Sequence, residues 1–263
     1  MKVFDTVRAW MWDKAIAWLN HEKSMSEDLF GDLDKLSQLI RPCDVLLVEG
    51  KTRLSKIIKT VTQSVWTHAA FYIGRLHDID TIGLRKKVKH FYDGPPSEQL
   101  VVDALLGRGT VITPLAHYRG YRLRICRPTF ISPEAASQVI SSVVNKLGSD
   151  YDARLLFDLA RFMAPYRLLP RTWRSTLFHH KPNQATRITC STMLVEAFQD
   201  AKYSIWPTQG PTQGATVSYD RFNPRLFTPQ HFDLSPYFDI VKVKPYSPSQ
   251  NDPDTLRNKE RST

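Results

Sequence analysis

The residues best suited to chemistry in this chain are a cysteine, a histidine and an aspartate that lie far apart in sequence. Cys190 opens a segment in which Leu194, Ala197 and Ala201 follow at three- and four-residue spacing, which predicts a helix with one buried face. The unpaired N–H groups and positive dipole end at the start of a helix stabilise a thiolate and a developing oxyanion. Cys190 is therefore a candidate nucleophile, although a free cysteine in a helix is also a common small core residue.

A nucleophilic cysteine needs a base within hydrogen-bond reach and a polar group that orients the base. His68 opens a predicted strand in which His68, Ala70 and Tyr72 share one face, so its ring is expected to project from the sheet edge toward a packed helix. Asp103 lies inside the otherwise apolar strand 100–105. A carboxylate there requires a partner such as an imidazolium, because burial without one is costly.

A pair of adjacent histidines is an alternative to His68 for the role of base. His179 and His180 lie shortly before Cys190 in sequence. A lone histidine in a strand also has an ordinary structural explanation, as a hydrogen-bonded core or surface residue. The sequence therefore favours His68 and leaves His179 and His180 as alternatives.

The cysteine count argues against other uses of sulfur. Cys43, Cys126 and Cys190 are odd in number and widely separated, which disfavours a disulfide framework and a zinc site with paired ligands. Thiol-based acyl transfer requires neither a metal nor an organic cofactor, so none is expected. A reducing compartment is the default environment for such a chain.

Composition places the chain among globular proteins with anionic partners. Hydrophobic residues make up 42% and charged residues 24% of the 263 positions, and the net charge is +10. This charge favours lipid headgroups, acidic glycans or nucleic acid, but no motif for specific nucleic-acid recognition is present. No stretch approaches the length of a membrane span. We expect a cytoplasmic protein with a peripheral contact at the inner membrane face, and the oligomeric state stays open.

The N-terminal segment is predicted to be helical. An apolar stripe runs through residues 3–19 and includes Trp18, with Trp10 and Trp12 nearby, which is typical of an amphipathic helix. Such a helix suits an anionic membrane interface, although an apolar helical stripe is more often packed on its own domain. A second helix is predicted over residues 26–39.

Alternating strands and helices follow these helices. The segment 75–98 is polar and contains glycine and two prolines, so it is predicted to be a surface hairpin or insertion. The segment 164–187 is basic and aromatic and fits either a lid or membrane-facing loop, or an insertion that covers the domain edge. Strands are predicted at 44–50, 67–74, 100–105, 110–114, 121–127 and 238–243, and helices at 54–65, 132–147, 155–162 and from 190 onward.

Several short motifs occur in an order that resembles a known family. In sequence order they are Asp44–Leu47, Thr67–Ile73, Val102–Ala104, Gly109–Leu115, Asp150–Asp152 and Thr189–Ser191. Together they resemble the permuted papain-like cysteine hydrolases of the NlpC/P60 superfamily, in particular the YiiX/YaeF-like branch. In that family the histidine strand precedes the cysteine helix, as it does here.

The resemblance implies an α+β papain-like fold, a circularly permuted NlpC/P60 arrangement in which a small antiparallel sheet packs against the cysteine-bearing helix. It implies Cys190 as nucleophile, His68 as base and Asp103 as the orienting acid. The family usually has Glu at the last position, and the shorter Asp predicts a shifted or water-mediated contact. The implied domains are an N-terminal helical extension (1–40), the hydrolase domain (41–245) and a disordered tail (246–263).

The resemblance also implies a reaction but leaves its substrate open. The expected activity is that of a cysteine hydrolase, a peptidase or amidase or a lipid acyl hydrolase or acyltransferase, which cleaves an amide or ester of a peptide, a lipid or an acyl-amide. The alternative is a non-catalytic basic module on the same fold that associates with membranes or another partner. Reactivity of Cys190 toward a thiol probe separates the two hypotheses.

Overall fold

The computed structural model describes residues 10, 14, 16–21, 33–150, 189–207, 224 and 227–242. These residues form an α+β fold with a six-stranded antiparallel sheet. The strands are β1 (Val45–Glu49), β2 (His68–Arg75), β3 (Gln99–Leu105), β4 (Gly109–Pro114), β5 (Arg122–Pro128) and β6 (Phe238–Val241). The α-helices are α1 (Leu33–Leu39), α2 (Arg53–Thr62), α3 (Ile82–Phe91), α4 (Pro133–Asn145), α5 (Cys190–Asp200) and α6 (Gln230–Leu234), with short 3₁₀ turns at Leu76–Asp78 and Leu115–Tyr118.

The sheet has the strand order β4-β3-β2-β1-β5-β6. β1 and β2 lie at its centre, and their inner residues are buried on both faces. Strands covered on both sides are expected to be almost continuously apolar, and the run of valine and leucine in β1 meets this expectation. The strands predicted from the sequence at these positions are all present, with ends that differ by one or two residues.

Two apolar clusters cover the two faces of the sheet. The larger cluster includes Ala69, Phe71 and residues of α4 and α5. The smaller cluster includes Ala70 and Tyr72 together with residues of α1 and of the turn Leu115–Tyr118. This division follows from the two-residue period of a strand, which sends successive side chains to opposite faces.

Helices α4 and α5 pack together on the larger cluster. As predicted, Ser132 caps α4 and Pro133 occupies its first turn, and the Ser132 side chain accepts a hydrogen bond from the backbone N–H of Ala135. Helix α5 buries most of its length, and Met193 and Leu194 have no exposed surface. The first turn of α5 is therefore held at a fixed position against the sheet.

The segment 75–98 lies largely at the surface, as predicted, but it does not form a hairpin. This segment contains the 3₁₀ turn Leu76–Asp78 and helix α3. Val88 of α3 is completely buried, and Leu84 packs against the larger cluster. The two residues lie four positions apart, on one face of the helix. The basic residues between them obscure this weak apolar pattern.

The ends of the chain are described only in part. Trp10 and residues 16–19 are helical, as predicted, and the predicted second helix is present from Leu33 to Leu39. The predicted helix 155–162, the segment 164–187 and the tail 246–263 lie outside the described residues, so the proposed domain boundaries stay predictions. No helix in the described part of the chain is long and apolar enough to cross a membrane.

Candidate active site

Cys190 is the first residue of α5, at the helix end where unpaired N–H groups point outward. Thr189 is the N-cap, and its hydroxyl accepts a hydrogen bond of 3.3 Å from the backbone N–H of Thr192. The side chain of Met193 then anchors this turn in the core. Cys190 is only 9% exposed. The thiol therefore lies in the positive field of the helix N-terminus, at the margin of the core.

His68 is the first residue of β2, and the two residues before it, Trp66 and Thr67, are held by hydrogen bonds to other parts of the chain. The Trp66 indole N–H donates a hydrogen bond of 2.9 Å to Asp233 Oδ2, and Asp233 also accepts from Arg124 of β5. The Thr67 hydroxyl accepts a hydrogen bond of 2.9 Å from the backbone N–H of Gly50. These contacts fix the start of β2 and so limit the positions that the His68 ring can reach.

Gly50 is needed for this arrangement because two side chains press against it. A Cβ at this position would lie 2.7 Å from the hydroxyl oxygen of Thr67 and closer still to that of Ser55. Such distances are well inside van der Waals contact. A larger residue would displace Thr67, the immediate neighbour of His68.

Asp103 lies on β3 and contacts His68 directly. The distance from His68 Nε2 to Asp103 Oδ1 is 2.9 Å, and the carboxylate is completely buried. The sequence predicted a shifted or water-mediated contact for this short side chain, and that prediction is wrong. The direct contact is possible because β2 and β3 are adjacent strands. Nε2 is thereby occupied, which leaves Nδ1 as the nitrogen available to a thiol.

His68 and Cys190 meet at the end of the sheet rather than across its face. Strand alternation places His68 on the side of Ala70 and Tyr72, which belong to the smaller cluster, whereas α5 packs on the opposite face. The sequence predicted that the His68 ring projects from the sheet edge toward a packed helix, and its interaction with Cys190 of α5 agrees with that prediction. His68 is the first residue of β2 and Cys190 is the first residue of α5, so the interaction joins the start of the strand to the start of the helix. The Ser191 hydroxyl lies 3.9 Å from the Cys190 sulfur, and the His68 side chain and the Ala69 backbone both act to lower the pKa of the thiol.

The electrostatics of the pair favour charge separation. Burial alone would lower the pKa of His68, but the nearby Cys190 sulfur and the Asp103 carboxylate outweigh burial and raise this pKa to about 10. Burial likewise opposes ionisation of Cys190, but the His68 charge and hydrogen bonds from His68 and Ala69 outweigh it and lower the thiol pKa below its ordinary value of 9.0. Each group therefore stabilises the charged form of the other, which favours a thiolate at Cys190 beside an imidazolium at His68.

The other two cysteines have the opposite electrostatics. Burial, followed by the charge of Asp44, raises the pKa of Cys43 to about 12. Burial is also the main cause of a raised pKa at Cys126. Both remain neutral thiols near pH 7, and both are fully enclosed by the core. Cys190 is therefore the one cysteine of the three whose pKa is lowered.

The sequence did not identify one residue of the site, Tyr118. Its hydroxyl donates a hydrogen bond of 2.7 Å to Asp103 Oδ1, the same oxygen that contacts His68. Tyr118 ends a 3₁₀ turn after β4, and no periodic pattern marks it. The one available signal was chemical, since a buried carboxylate generally needs more than one donor. The rival bases His179 and His180 lie outside the described residues.

No group of three or more histidine, cysteine, aspartate or glutamate side chains in the described ranges is arranged to hold a metal ion.

We expect Asp103→Asn to lower the reactivity of Cys190. The amide keeps the size of the side chain but removes the charge that stabilises the His68 imidazolium, so the pKa of His68 falls and the thiolate at Cys190 loses support. Alkylation of Cys190 by iodoacetamide at pH 7 should slow by about 10-fold. Glu196→Gln is the matched control, because it neutralises a carboxylate on α5 that is paired with Lys146. Equal slowing in both variants would contradict a specific role for Asp103.

Comparison with known proteins gives a distant structural similarity. No protein-family model matches this sequence, and no curated protein matches it. Among solved structures, the chain is similar to the crystal structure of metalloprotein yiiX from Escherichia coli O157:H7, DUF1105. The identity is 15%, the similarity covers 78% of this chain and 98% of that chain, and the TM-score is 0.46. At this level the comparison describes a resemblance in fold and assigns no residue a role.

Proposed function

We propose that this protein is a cysteine hydrolase that cleaves an amide or ester through an acyl-enzyme intermediate. The observation that carries the proposal is that His68, which is hydrogen-bonded to the buried Asp103, is also electrostatically coupled to Cys190 at the N-terminus of α5. A base within reach of the nucleophile and a third group that orients the base form the arrangement expected of nucleophilic catalysis. Asp103 is proposed as the orienting residue.

In the first half of the reaction, the Cys190 thiolate attacks the substrate carbonyl carbon. A C–S bond forms and the carbonyl electron pair moves to oxygen, where the backbone N–H of Cys190 at the start of α5 stabilises the negative charge. The C–O or C–N bond then breaks, and the His68 imidazolium gives its proton to the leaving alcohol or amine. The products of this half are a thioester at Cys190 and a neutral imidazole.

In the second half, water resolves the thioester. Neutral His68 takes a proton from water while the water oxygen attacks the acyl carbon. The C–S bond breaks, and the acid product leaves with the thiolate and the imidazolium restored. Asp103 does not change its charge in either half. It stabilises the imidazolium and holds the ring so that Nδ1 faces the sulfur.

The proposed substrate class is a lipid or acyl-amide, in preference to a cell-wall peptide. The net charge of +10 attracts anionic surfaces, and the exposed Trp10 and Trp18 side chains suit the interface of a membrane. The proposed location is cytoplasmic, with peripheral contact at the inner membrane face.

An acyl-transfer assay with activated esters tests the proposal. Incubation with p-nitrophenyl acetate and p-nitrophenyl octanoate should release nitrophenol and add the mass of one acyl group to the protein, located on the Cys190 peptide. A preference for octanoate would support the lipid class. Release of nitrophenol without an adduct on Cys190, or an adduct on another residue, would contradict the proposed nucleophile.

A second candidate function is that of a basic membrane-associated module without catalysis. It is supported by the side chains of Trp10 and Trp18, which are 60% and 57% exposed. The Arg53 guanidinium lies 4.6 Å from the Trp18 ring centroid, and the Lys14 ammonium lies 5.9 Å from that of Trp10. Paired indoles and cations of this kind match the headgroup region of an anionic bilayer.

The double variant Trp10→Ser/Trp18→Ser should bind anionic vesicles more weakly. The wild type is expected to co-sediment with phosphatidylglycerol vesicles and much less with phosphatidylcholine. Loss of both indoles should reduce the bound fraction by about 10-fold, because each removes a large apolar surface from the interface. Phe130→Ser is the control, because Phe130 is also a highly exposed aromatic residue. If the wild type, the double variant and a variant without residues 1–20 pellet equally, residues 1–20 do not contribute to membrane binding.

A further inference from the structure

The hydroxyl group of Tyr118 forms the third member of a hydrogen-bonded chain that runs from Tyr118 through Asp103 to His68. The Tyr118 hydroxyl lies 2.7 Å from Asp103 Oδ1, and His68 Nε2 lies 2.9 Å from the same oxygen. The rings of Tyr118 and His68 are nearly parallel, with centroids 6.5 Å apart. Two side chains from different elements therefore converge on a single carboxylate oxygen.

Asp103 depends on these two donors. It has no exposed surface, and its other oxygen, Oδ2, has no hydrogen-bond partner among the residues that the structure describes. A buried carboxylate is costly unless donors compensate for its lost hydration. If one of two donors were removed, the carboxylate would gain freedom to turn about its side-chain torsions toward another partner.

Tyr118 is itself held in place as a donor. Its side chain is 4% exposed and belongs to the smaller cluster, and its ring packs against Tyr121. Burial, followed by the charge of Asp103, raises the pKa of its hydroxyl well above the ordinary value. The hydroxyl therefore keeps its proton at neutral pH and can only donate to Asp103.

We infer that Tyr118 is a positioning residue that holds the Asp103 carboxylate against His68 and thereby sets the basicity of the imidazole. This inference rests on the proposed function, in which His68 is the base. Tyr118 acts through Asp103, to which its hydroxyl is hydrogen-bonded. Its contribution is to fix one rotamer of a short acidic side chain.

Removal of the Tyr118 hydroxyl should change the pKa of His68 in a defined direction. In Tyr118→Phe, Asp103 loses the donor that fixes it, and its contact with His68 weakens. A weaker contact stabilises the imidazolium less, so the pKa of His68 should fall. A less stable imidazolium also supports the Cys190 thiolate less, so the pKa of Cys190 should rise. The pH range in which the ion pair exists should therefore become narrower at both ends.

An NMR titration of the His68 ring tests this inference independently of turnover. Both Tyr118→Phe and the parent protein are measured in a Cys190→Ala background, so that only Asp103 and burial set the His68 pKa. The pKa should fall by about half a unit or more in Tyr118→Phe. Tyr72→Phe is the matched control, because Tyr72 is also buried in the smaller cluster and its hydroxyl contacts Gln99 instead of the triad. Tyr72→Phe should leave the titration unchanged.

An unchanged His68 titration in Tyr118→Phe, or a shift to higher pH, would overturn the inference. A merely structural role for Tyr118 would lower the stability of the fold and leave the titration where it was. Coupling gives a further check, since Tyr118→Phe should produce no additional shift once Asp103→Asn is present. An additional shift of the same size would mean that Tyr118 acts by another route.

Failure of the inference and failure of the proposed function give different results. If the hydrolase proposal fails, Cys190 in the otherwise native protein is no more reactive than an ordinary thiol, whatever the His68 titration shows. If only the positioning role fails, Cys190 remains reactive and its alkylation at pH 7 is the same in Tyr118→Phe as in the wild type.

Discussion

Alkylation of Cys190 at pH 7 should slow by about 100-fold or more when His68 is replaced with alanine. In the native site, His68 provides the charge and the side-chain hydrogen bond that lower the pKa of the thiol. Without the imidazolium, the remaining dominant effect is burial, which raises this pKa above its ordinary value. For an acid, a raised pKa means a smaller thiolate fraction at neutral pH, and the rate of alkylation falls in proportion to that fraction.

Peptide-level mass spectrometry after brief exposure to iodoacetamide measures this rate at each cysteine. His90→Ala is the matched control, because His90 is an exposed histidine on α3 and its loss should not affect Cys190. If His68→Ala alkylates at the wild-type rate, the imidazole does not stabilise the thiolate and the base must be sought elsewhere. His179 and His180 would then become the leading alternatives.

Replacement of Cys190 with alanine should lower kcat/KM for an activated ester by at least about 1,000-fold. A nucleophile that forms the covalent intermediate cannot be replaced by a methyl group, and only binding and oxyanion contacts remain to assist attack by water. Cys190→Ser should be nearly as inactive, because a serine hydroxyl is much harder to ionise than a thiol and His68 stabilises an existing thiolate. Initial rates of nitrophenol release measure both variants.

Cys126→Ala provides the comparison for this experiment. Cys126 is a buried thiol with a raised pKa, so it should contribute to packing and not to turnover. We expect this variant to lose some stability and to keep a rate close to that of the wild type. Retention of hydrolysis in Cys190→Ala, at a level comparable to the wild type, would contradict covalent catalysis by this residue.

Local patterns in the sequence were sufficient to predict most elements of the fold. Helix α5 was predicted because its apolar residues recur at helical spacing, and helix α4 because Ser132 and Pro133 mark its start. Helix α3 was missed because only Val88 along it is fully buried, so its periodic signal is weak beside the basic residues that surround it. The apolar pattern predicts a helix well when a whole face of the helix is buried. It predicts a helix poorly when only a few of its residues contact the core.

The site was predictable to the extent that its chemistry narrows the choice of residues. Asp103 stood out as a charge within an apolar strand, and the structure places it 2.9 Å from His68 on the adjacent strand. The relative position of Cys190 and His68 was not predictable, because it depends on how the start of α5 is placed relative to the start of β2. Tyr118 was also missed, because its contact with Asp103 comes from tertiary packing and no local pattern marks it.

The pH dependence of Cys190 alkylation in the wild-type protein tests directly whether Cys190 and His68 form a thiolate–imidazolium pair. Rates of modification by iodoacetamide are measured from pH 5 upward, with Cys43 and Cys126 followed in the same samples. We expect the Cys190 rate to reach half of its maximum clearly below pH 9.0, the ordinary value for the thiol, and the other two cysteines to ionise only at more alkaline pH. A Cys190 curve with its midpoint at or above 9.0 would contradict the thiolate–imidazolium pair and the hydrolase proposal with it.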